Sequence, residues 1–154
     1  MTITKTSKLV LLSLISAVLL LNISCTYNDN PVYSTNNTDV YNRTIRWNEW
    51  ELVRNDWDQI VDGHFFKRLY ISNITGAVID NGAVLVYYRY NPSNNWIPLP
   101  YSTTYYKGNQ PFAEEIWYEY GRTLGALDIN YIYTEPYNMI PPDFLYLKII
   151  LVRL

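Results

Sequence analysis

The chain has 154 residues, of which 49% are hydrophobic and 16% aromatic, and its net charge is −2. This length fits one domain with a sizeable hydrophobic core. A weakly acidic chain without a basic stripe is a poor match for nucleic acid, so no nucleic-acid partner is predicted. The single cysteine, Cys25, excludes an intramolecular disulfide and a cysteine-based zinc site.

The N-terminal segment has the organisation of a bacterial export signal. Lys5 and Lys8 form a positive region, and the apolar run Leu9–Leu21 comes directly after it. That run is shorter than the roughly 20 residues that a membrane-spanning helix needs, and its length suits the core of a signal peptide.

The end of this segment resembles a bacterial lipobox, in which a small residue precedes a cysteine that is lipidated and becomes the new N-terminus. Ser24 and Cys25 fit that pattern, whereas Asn22 stands where a leucine is usual. We therefore expect residues 1–24 to be a lipoprotein signal peptide and Cys25 to be lipidated. The alternatives are an uncleaved anchor and an ordinary secretory signal with a chance cysteine.

Residues 25–40 are polar and rich in Asn and Thr, which is typical of a flexible tether. The domain proper is expected at residues 41–154. Several acyl chains on Cys25 would anchor it stably, because each buried methylene contributes about 0.8 kcal/mol. We expect the protein at the cell envelope, anchored in the outer membrane on its periplasmic or surface side, with the membrane as its first partner.

Short segments of alternating polarity dominate the rest of the chain, and this alternation predicts strands. In chain order these are Arg43–Trp47 with Ile45 and Trp47 inward, His64–Ser72 with Phe65, Leu69 and Ile71 on one face, Ala83–Tyr90, Trp96–Pro100 and Tyr101–Tyr106. They continue with Glu114–Tyr120 (Ile116 and Tyr118 inward), Leu127–Tyr133 (Leu127, Ile129 and Tyr131 inward) and Leu145–Val152 (Leu145, Leu147, Ile149 and Leu151 inward). The predicted fold is all-β, an antiparallel β-sandwich of about seven strands and Ig-like size.

Ala83–Tyr90 has the β-branched and aromatic composition of a central strand. Its valine face, formed by Val84, Val86, Tyr88 and Tyr90, is predicted to be core, because the opposite face would bury the charge of Arg89. Trp96–Pro100 is predicted to be a short edge strand, since its prolines cannot donate to a ladder.

One helical turn is predicted before that strand, over Ile74–Asp80. This segment is too short to pair as a long strand with Ala83–Tyr90. Thr75 is expected to cap the turn and Asn81-Gly82 to end it.

Several motifs in this part of the chain carry a resemblance. They are Asn55-Asp56-Trp57, Ile74-Thr75, Val78–Tyr87, Trp96 with Leu99-Pro100, and the aliphatic strand after Phe144. In their order and spacing they resemble a group of small, uncharacterised lipoproteins of Gram-negative bacteria. The resemblance implies an anchored all-β domain and brings no activity or site residues.

Two familiar catalytic and metal motifs are incomplete. His64 is the single histidine, and no GxSxG motif accompanies it, so a Ser-His-Asp hydrolase is not predicted. Asp56, Asp58 and Asp62 resemble the start of a calcium loop, but Lys67 stands where that loop needs Glu. A solvated acidic turn is the preferred interpretation, and no metal or other cofactor is predicted.

Glu114, Glu115 and Glu119 are candidates for the paired carboxylates of a glycosidase, but their spacing does not support that role. Glu115 and Glu119 share one face of a predicted strand, where they would lie roughly 13 Å apart. This is wider than either glycosidase geometry, so we expect no enzyme activity.

Exposed aromatic residues remain as possible contacts for a ligand. Trp117 lies between Glu115 and Glu119 on the predicted outer face, and Tyr87 and Arg89 lie on the outer face of their own strand. Such residues stack on sugars, but Tyr and Trp also form ordinary cross-strand pairs. The main hypothesis is therefore a non-catalytic interaction or structural module with a protein partner. The alternative is a glycan-binding accessory module, which a contiguous aromatic patch would favour.

Overall fold

Two five-stranded antiparallel sheets pack against each other in this computed structural model, which describes residues 32–54, 60–134 and 140–154. The elements are β1 (Tyr33–Ser34), β2 (Thr38–Arg46), β3 (Glu51–Arg54), β4 (Ile60–Tyr70), α1 (Gly76–Asn81), β5 (Ala83–Arg89), β6 (Ile97–Pro98), β7 (Tyr101–Lys107), β8 (Gln110–Tyr120), β9 (Ala126–Tyr133) and β10 (Phe144–Val152). The predicted all-β sandwich is confirmed. The strand number exceeds the prediction, chiefly because β1 and β3, of two and four residues, are too short to show a pattern.

The first sheet has the order β1-β2-β10-β5-β6, and the second has the order β3-β4-β9-β8-β7. The centre of the first sheet is β10, which pairs with β2 from Phe144↔Arg46 to Val152↔Thr38 and with β5 on its other side. Ala83–Tyr90, predicted to be a central strand, is interior to the sheet as β5, since it pairs with β10 and β6, but the middle position belongs to β10. The edge position of the proline-containing segment is confirmed, since Ile97–Pro98 pairs with β5 and with no further strand.

The core lies between the sheets and is formed by alternate residues of the long strands. The predicted inward residues that are buried are Ile45, Phe65, Leu69, Ile71, Val84, Val86, Tyr88, Ile116, Leu127, Ile129, Tyr131, Leu145, Leu147, Ile149 and Leu151. Tyr118 is partly buried and packs against this cluster. Tyr90, on the predicted valine face, is 36% exposed, and β5 ends one residue earlier, at Arg89. Strand alternation thus predicted the two packed faces apart from Tyr90 and one further exception.

That exception is Trp47, which is 61% exposed although it was predicted to point inward. The strand ends one residue earlier, at Arg46, and Trp47–Glu49 forms a 3-10 turn. The Glu49 carboxylate accepts a hydrogen bond of 2.8 Å from the Arg46 backbone N–H, which fixes this turn. Once the turn begins, the two-residue period no longer decides which way Trp47 faces.

The described sheet begins before the expected domain start at residue 41. Tyr33↔Val40 and Ser34↔Asp39 pair β1 with β2, so the end of the predicted tether belongs to the sandwich. The predicted signal peptide, Cys25 and the rest of the tether lie outside the described residues. In the part of the chain that the structure describes, no helix has the length and apolar character needed to cross a membrane.

Asp39 explains why this N-terminal extension belongs to the fold. Its carboxylate is fully buried, accepts hydrogen bonds from Ser34 Oγ at 2.6 Å and Asn73 Nδ2 at 2.8 Å, and pairs with Arg153 at 2.5 Å. Burial raises its pKa, but the hydrogen bonds and the charge of Arg153 outweigh burial and hold the pKa below its ordinary value. These four residues, the Asp39 cluster, join both ends of the domain.

The predicted helical turn is confirmed as α1, although its ends are not fixed in the predicted way. Thr75 is the N-cap residue but makes no side-chain capping hydrogen bond. Gly82 comes after the helix at φ −110°, so it is not there for a left-handed conformation. A Cβ at Gly82 would lie 2.2 Å from the Val152 carbonyl oxygen, and this close approach of α1 to β10 requires glycine.

Candidate ligand-binding site

The five residues predicted to contact a ligand do not form one surface. Trp117, Glu115 and Glu119 lie on the outward face of β8 in the second sheet, whereas Tyr87 and Arg89 lie on the outward face of β5 in the first. Because the inner faces of both sheets meet at the core, these outer faces point to opposite sides of the sandwich. They can form a contact only as two separate sets.

Trp117 is partly buried by its neighbours on the second sheet. Its ring centroid lies 5.2 Å from that of His64, and its Nε1–H donates to Glu119 at 3.4 Å. Arg122 pairs with the same Glu119 carboxylate at 2.8 Å. Trp117 thus has the environment of a cross-strand packing residue, with a shallow depression of about 240 Å³ beside it that Tyr101 also lines.

Arg89 is engaged by its own sheet. Its guanidinium carbon lies 4.2 Å from the centroid of the Trp96 ring, and Lys148 Nζ lies 4.5 Å from the same centroid. These cation–π contacts within the chain already occupy Arg89 and the Trp96 ring without a ligand. Tyr87, which pairs with Lys148 and Pro98 across the sheet, is partly buried beside them.

Sequence reasoning considered Glu114 only as one possible glycosidase carboxylate and did not predict that it is buried. It lies on the inward face of β8, two residues before the buried Ile116, and only 6% of its surface is exposed. The Tyr90 hydroxyl donates to Oε1 of Glu114 and the Tyr131 hydroxyl donates to the same oxygen at 3.2 Å. The Tyr105 hydroxyl donates to Oε2 at 3.0 Å. We call these four residues the Glu114 cluster.

Alternation on β8 carried the signal that could have located it. If Ile116 faces inward, Glu114 must do so too, and an inward carboxylate needs partners. The three tyrosines lie just after β5 or on β7 and β9, so their convergence depends on a strand order that the sequence did not provide.

A pocket of about 440 Å³ opens beside the cluster, and we call it the Glu114 pocket. Its lining includes Glu114 and the aromatic residues Tyr90, Tyr105, Phe112, Tyr131 and Tyr133, with Ile140 and Pro142 as aliphatic neighbours. Phe112 stacks on Tyr105 at a centroid distance of 5.4 Å and meets Tyr133 edge-on at 5.5 Å. These mutual contacts hold the aromatic lining in place before any ligand arrives.

The three tyrosines of the cluster stay protonated. Burial, followed by the hydrogen bond to Glu114, raises the pKa of Tyr90 and Tyr105 far above the ordinary tyrosine value. Burial and the Glu114 charge raise the pKa of Tyr131 in the same direction. Each hydroxyl is therefore a fixed donor to the carboxylate, and none is an incipient nucleophile or base.

Positive charge does not compensate this carboxylate within the described ranges. Ion pairs of the described residues include Arg68 with Asp128, Arg122 with Glu119 and Arg153 with Asp39, and Glu114 takes part in none of these three. Its negative charge is balanced only by neutral hydroxyl dipoles.

The histidine and the calcium-like acidic residues form no catalytic or metal site within the described residues. His64 Nε2 lies 3.3 Å from Asn130 Oδ1, and its ring packs on Trp117. The calcium-like residues Asp56 and Asp58 fall outside the described residues. Across residues 32–54, 60–134 and 140–154, no group of three or more His, Cys, Asp and Glu side chains could hold a metal ion.

No protein family, curated protein or solved structure matches this chain. The resemblance to small Gram-negative lipoproteins therefore stays a prediction.

Proposed function

We propose that this chain is a lipid-anchored cell-envelope protein whose β-sandwich is a non-catalytic binding module. The Glu114 pocket is its binding site, and the bound partner is a small molecule or a side chain of another protein. The anchor is supported by Lys5 and Lys8, the apolar run Leu9–Leu21 and the position of Cys25 directly after it.

The observation that carries the binding role is an open pocket with an aromatic lining and one buried carboxylate. Pockets with mostly apolar walls and a few convergent polar groups are the usual sites for small ligands. The lining of the Glu114 pocket fits that description. Three hydroxyls occupy the carboxylate oxygens, and this favours binding over proton transfer, because a general base must be free to accept a substrate proton.

The binding role is tested by titrating the full chain, in a neutral detergent, with a panel of chemically distinct ligands. The panel contains amines, carboxylates, neutral sugars and aromatic alcohols, and backbone amide NMR shifts locate the contacts. We expect at least one class to shift Glu114, Tyr131 and their neighbours in a saturable manner. If every class leaves these amides unmoved, the pocket is not a binding site.

The anchor is tested separately by metabolic labelling with a fatty acid in a Gram-negative host. We expect the wild type to be labelled and membrane-bound, and Cys25→Ala to be unlabelled and released or misprocessed. Ser13→Ala, in the apolar run, is the matched control and should be labelled normally. An unlabelled wild type contradicts the anchor and leaves the pocket unaffected.

A glycan-binding role is the second candidate, and one observation favours it. Trp117 keeps part of its ring exposed beside a depression of about 240 Å³, between the carboxylates of Glu115 and Glu119. Against it, the predicted set is divided between opposite faces, and Trp117 already packs on His64. The first role therefore has the stronger support.

A further inference from the structure

We infer that the Glu114 pocket takes an organic ammonium ion, supplied by a free amine or by a lysine side chain of a partner protein. The inference rests on the proposed binding role and adds the chemical class of the ligand. Three independent properties of the pocket lead to it: its hydrogen-bond inventory, its charge and its aromatic lining.

The hydrogen-bond inventory favours a ligand that brings donors. A tyrosine hydroxyl has one proton, and the protons of Tyr90, Tyr105 and Tyr131 all go to Glu114. Their oxygens keep only lone pairs towards the pocket. An ionised carboxylate offers about four acceptor sites, so Glu114 has about one left. The polar atoms of the cluster can therefore accept further hydrogen bonds but cannot donate them.

The charge favours a cation. Glu114 is 94% removed from solvent, since 6% of its surface is exposed, and no described ion pair includes it. A buried carboxylate is costly unless it is paired, and hydroxyl donors offset only part of that cost. An anionic ligand would add like charge to the pocket, whereas an ammonium ion would supply the counter-charge.

The aromatic lining favours an ammonium ion with an attached hydrocarbon over a bare metal ion. Tyr105, Phe112 and Tyr133 form a continuous aromatic group, with successive centroids 5.4 Å and 5.5 Å apart. Aromatic rings attract organic cations at distances up to about 6 Å, and the hydrocarbon part of the ligand can pack on Ile140 and Pro142. A hard metal ion prefers several oxygen ligands, and the pocket offers a single carboxylate.

The experiment compares three probes of similar bulk on the full chain in neutral detergent. Butylammonium has the charge and N–H donors, 1-butanol has neither charge nor N–H, and tetramethylammonium has charge without N–H. Calorimetry gives the affinities, and amide NMR shifts place the contacts. We expect butylammonium to bind at least tenfold more tightly than 1-butanol, with tetramethylammonium between them.

Two variants connect any affinity to the pocket. Glu114→Gln keeps the shape and removes the charge, and it should weaken butylammonium binding at least tenfold. Phe112→Leu removes an aromatic wall without touching a hydrogen bond, and it should weaken binding severalfold. Trp117→Ala, on the opposite side of β8, is the control and should bind as the wild type does. Thermal melting of each variant shows whether it is folded. If Glu114→Gln does not fold, the affinity of Phe112→Leu still tests the pocket.

Two further ligands identify the source of the ammonium group. Cadaverine stands for a free amine, and N-acetyl-lysine methylamide stands for a lysine side chain within a protein; the tighter binder indicates the source. Equal binding of 1-butanol and butylammonium, or unchanged binding in both pocket variants, overturns the inference. If a sugar or a carboxylate shifts the Glu114 amides while amines do not, the ammonium class is wrong and the binding role stands.

Discussion

Among the residues whose burial the structure describes, two carboxylates are buried, Asp39 and Glu114, and their surroundings are opposite in kind. Asp39 meets a guanidinium, an amide and a hydroxyl, and none of its surface is exposed. Glu114 meets three phenolic hydroxyls and a pocket. The first acid has its counter-charge from within the chain, whereas the second has only neutral donors.

This difference separates a structural acid from one available to a ligand. Asp39 joins β1, the segment after β4 and the C-terminus, so its charge is used to close the domain. Glu114 lines a pocket, and its hydroxyl partners are neutral and supply no counter-charge. Buried acids are therefore informative about function only after their counter-charges have been identified.

A variant that adds a buried carboxylate without a partner should have the largest effect on folding. Val86→Asp places a charge at a core position that is 2% exposed and lies opposite Ile149. We expect no folded protein, because the new charge would be buried in the apolar core without a counter-charge. Leu85→Asp, at the adjacent outward position that is 41% exposed, is the matched control and should fold. Circular dichroism and thermal melting decide; a cooperatively melting Val86→Asp would contradict this assignment of the core.

Removal of Asp39 should give the next largest effect. Asp39→Ala leaves Asn73 and Arg153 without their acceptor, and we expect a loss of about 3 kcal/mol in the free energy of unfolding. Asp128→Ala breaks the surface pair with Arg68, whose atoms lie 2.7 Å apart, and should cost about 1 kcal/mol or less. Urea unfolding of both variants measures the difference. Equal losses would show that the Asp39 cluster is no more structural than a surface ion pair.

The pH dependence of stability sharpens the same contrast. Because the pKa of Asp39 is lower in the folded state, its contribution is complete above its unfolded pKa of about 3.9 and is lost as pH falls through the folded value. The wild type should therefore lose its stability advantage over Asp39→Asn as the pH falls below about 4. Melting temperatures of both proteins between neutral and acidic pH measure this. A gap that stays constant with pH would contradict the prediction.

Trp117→Ala should have the smallest effect, since Trp117 belongs to neither buried acid. Loss of its contact with His64 should cost about 1 kcal/mol, and we expect no glycan to bind either protein. Thermal melting and a glycan array measure the two outcomes, with Tyr106→Ala at a 73% exposed position as control. Dose-dependent glycan binding that Trp117→Ala abolishes would support the second candidate function.

Much of the fold was predictable because alternation is a local property. The inward residues of β4, β5, β9 and β10 are set by a two-residue period, and the structure buries them as predicted. Strand order was not predictable, since nothing in Ala83–Tyr90 indicates that β10 would pair with β2 and take the centre. The predicted inward orientation of Trp47 was wrong, because a 3-10 turn fixed by Glu49 interrupts the two-residue period of the strand.

The candidate site was less accessible to sequence reasoning for a physical reason. Its carboxylate and its three donors lie on or next to different strands, and only tertiary packing brings them together. The predicted ligand contacts on the outer faces relied on strand alternation alone. Alternation indicates which face of a strand a residue lies on, but not which sheet the strand belongs to. The sheet assignment then placed Trp117 and Arg89 on opposite sides.

If the proposed lipid anchor holds the protein by its N-terminus, the Asp39 cluster has a mechanical consequence. Tension along the tether would reach β1 first, and β1 is attached to the sheet through two residue pairs. Behind it, Asp39 links the incoming chain to Arg153, and β2 is paired with β10 from Thr38 to Arg46. A small force on the N-terminus would therefore detach β1, and a larger force would be needed to break the contacts of Asp39. The domain would give way stepwise, with β1 as a short extensible segment that spares the sheet and the Glu114 pocket from small forces.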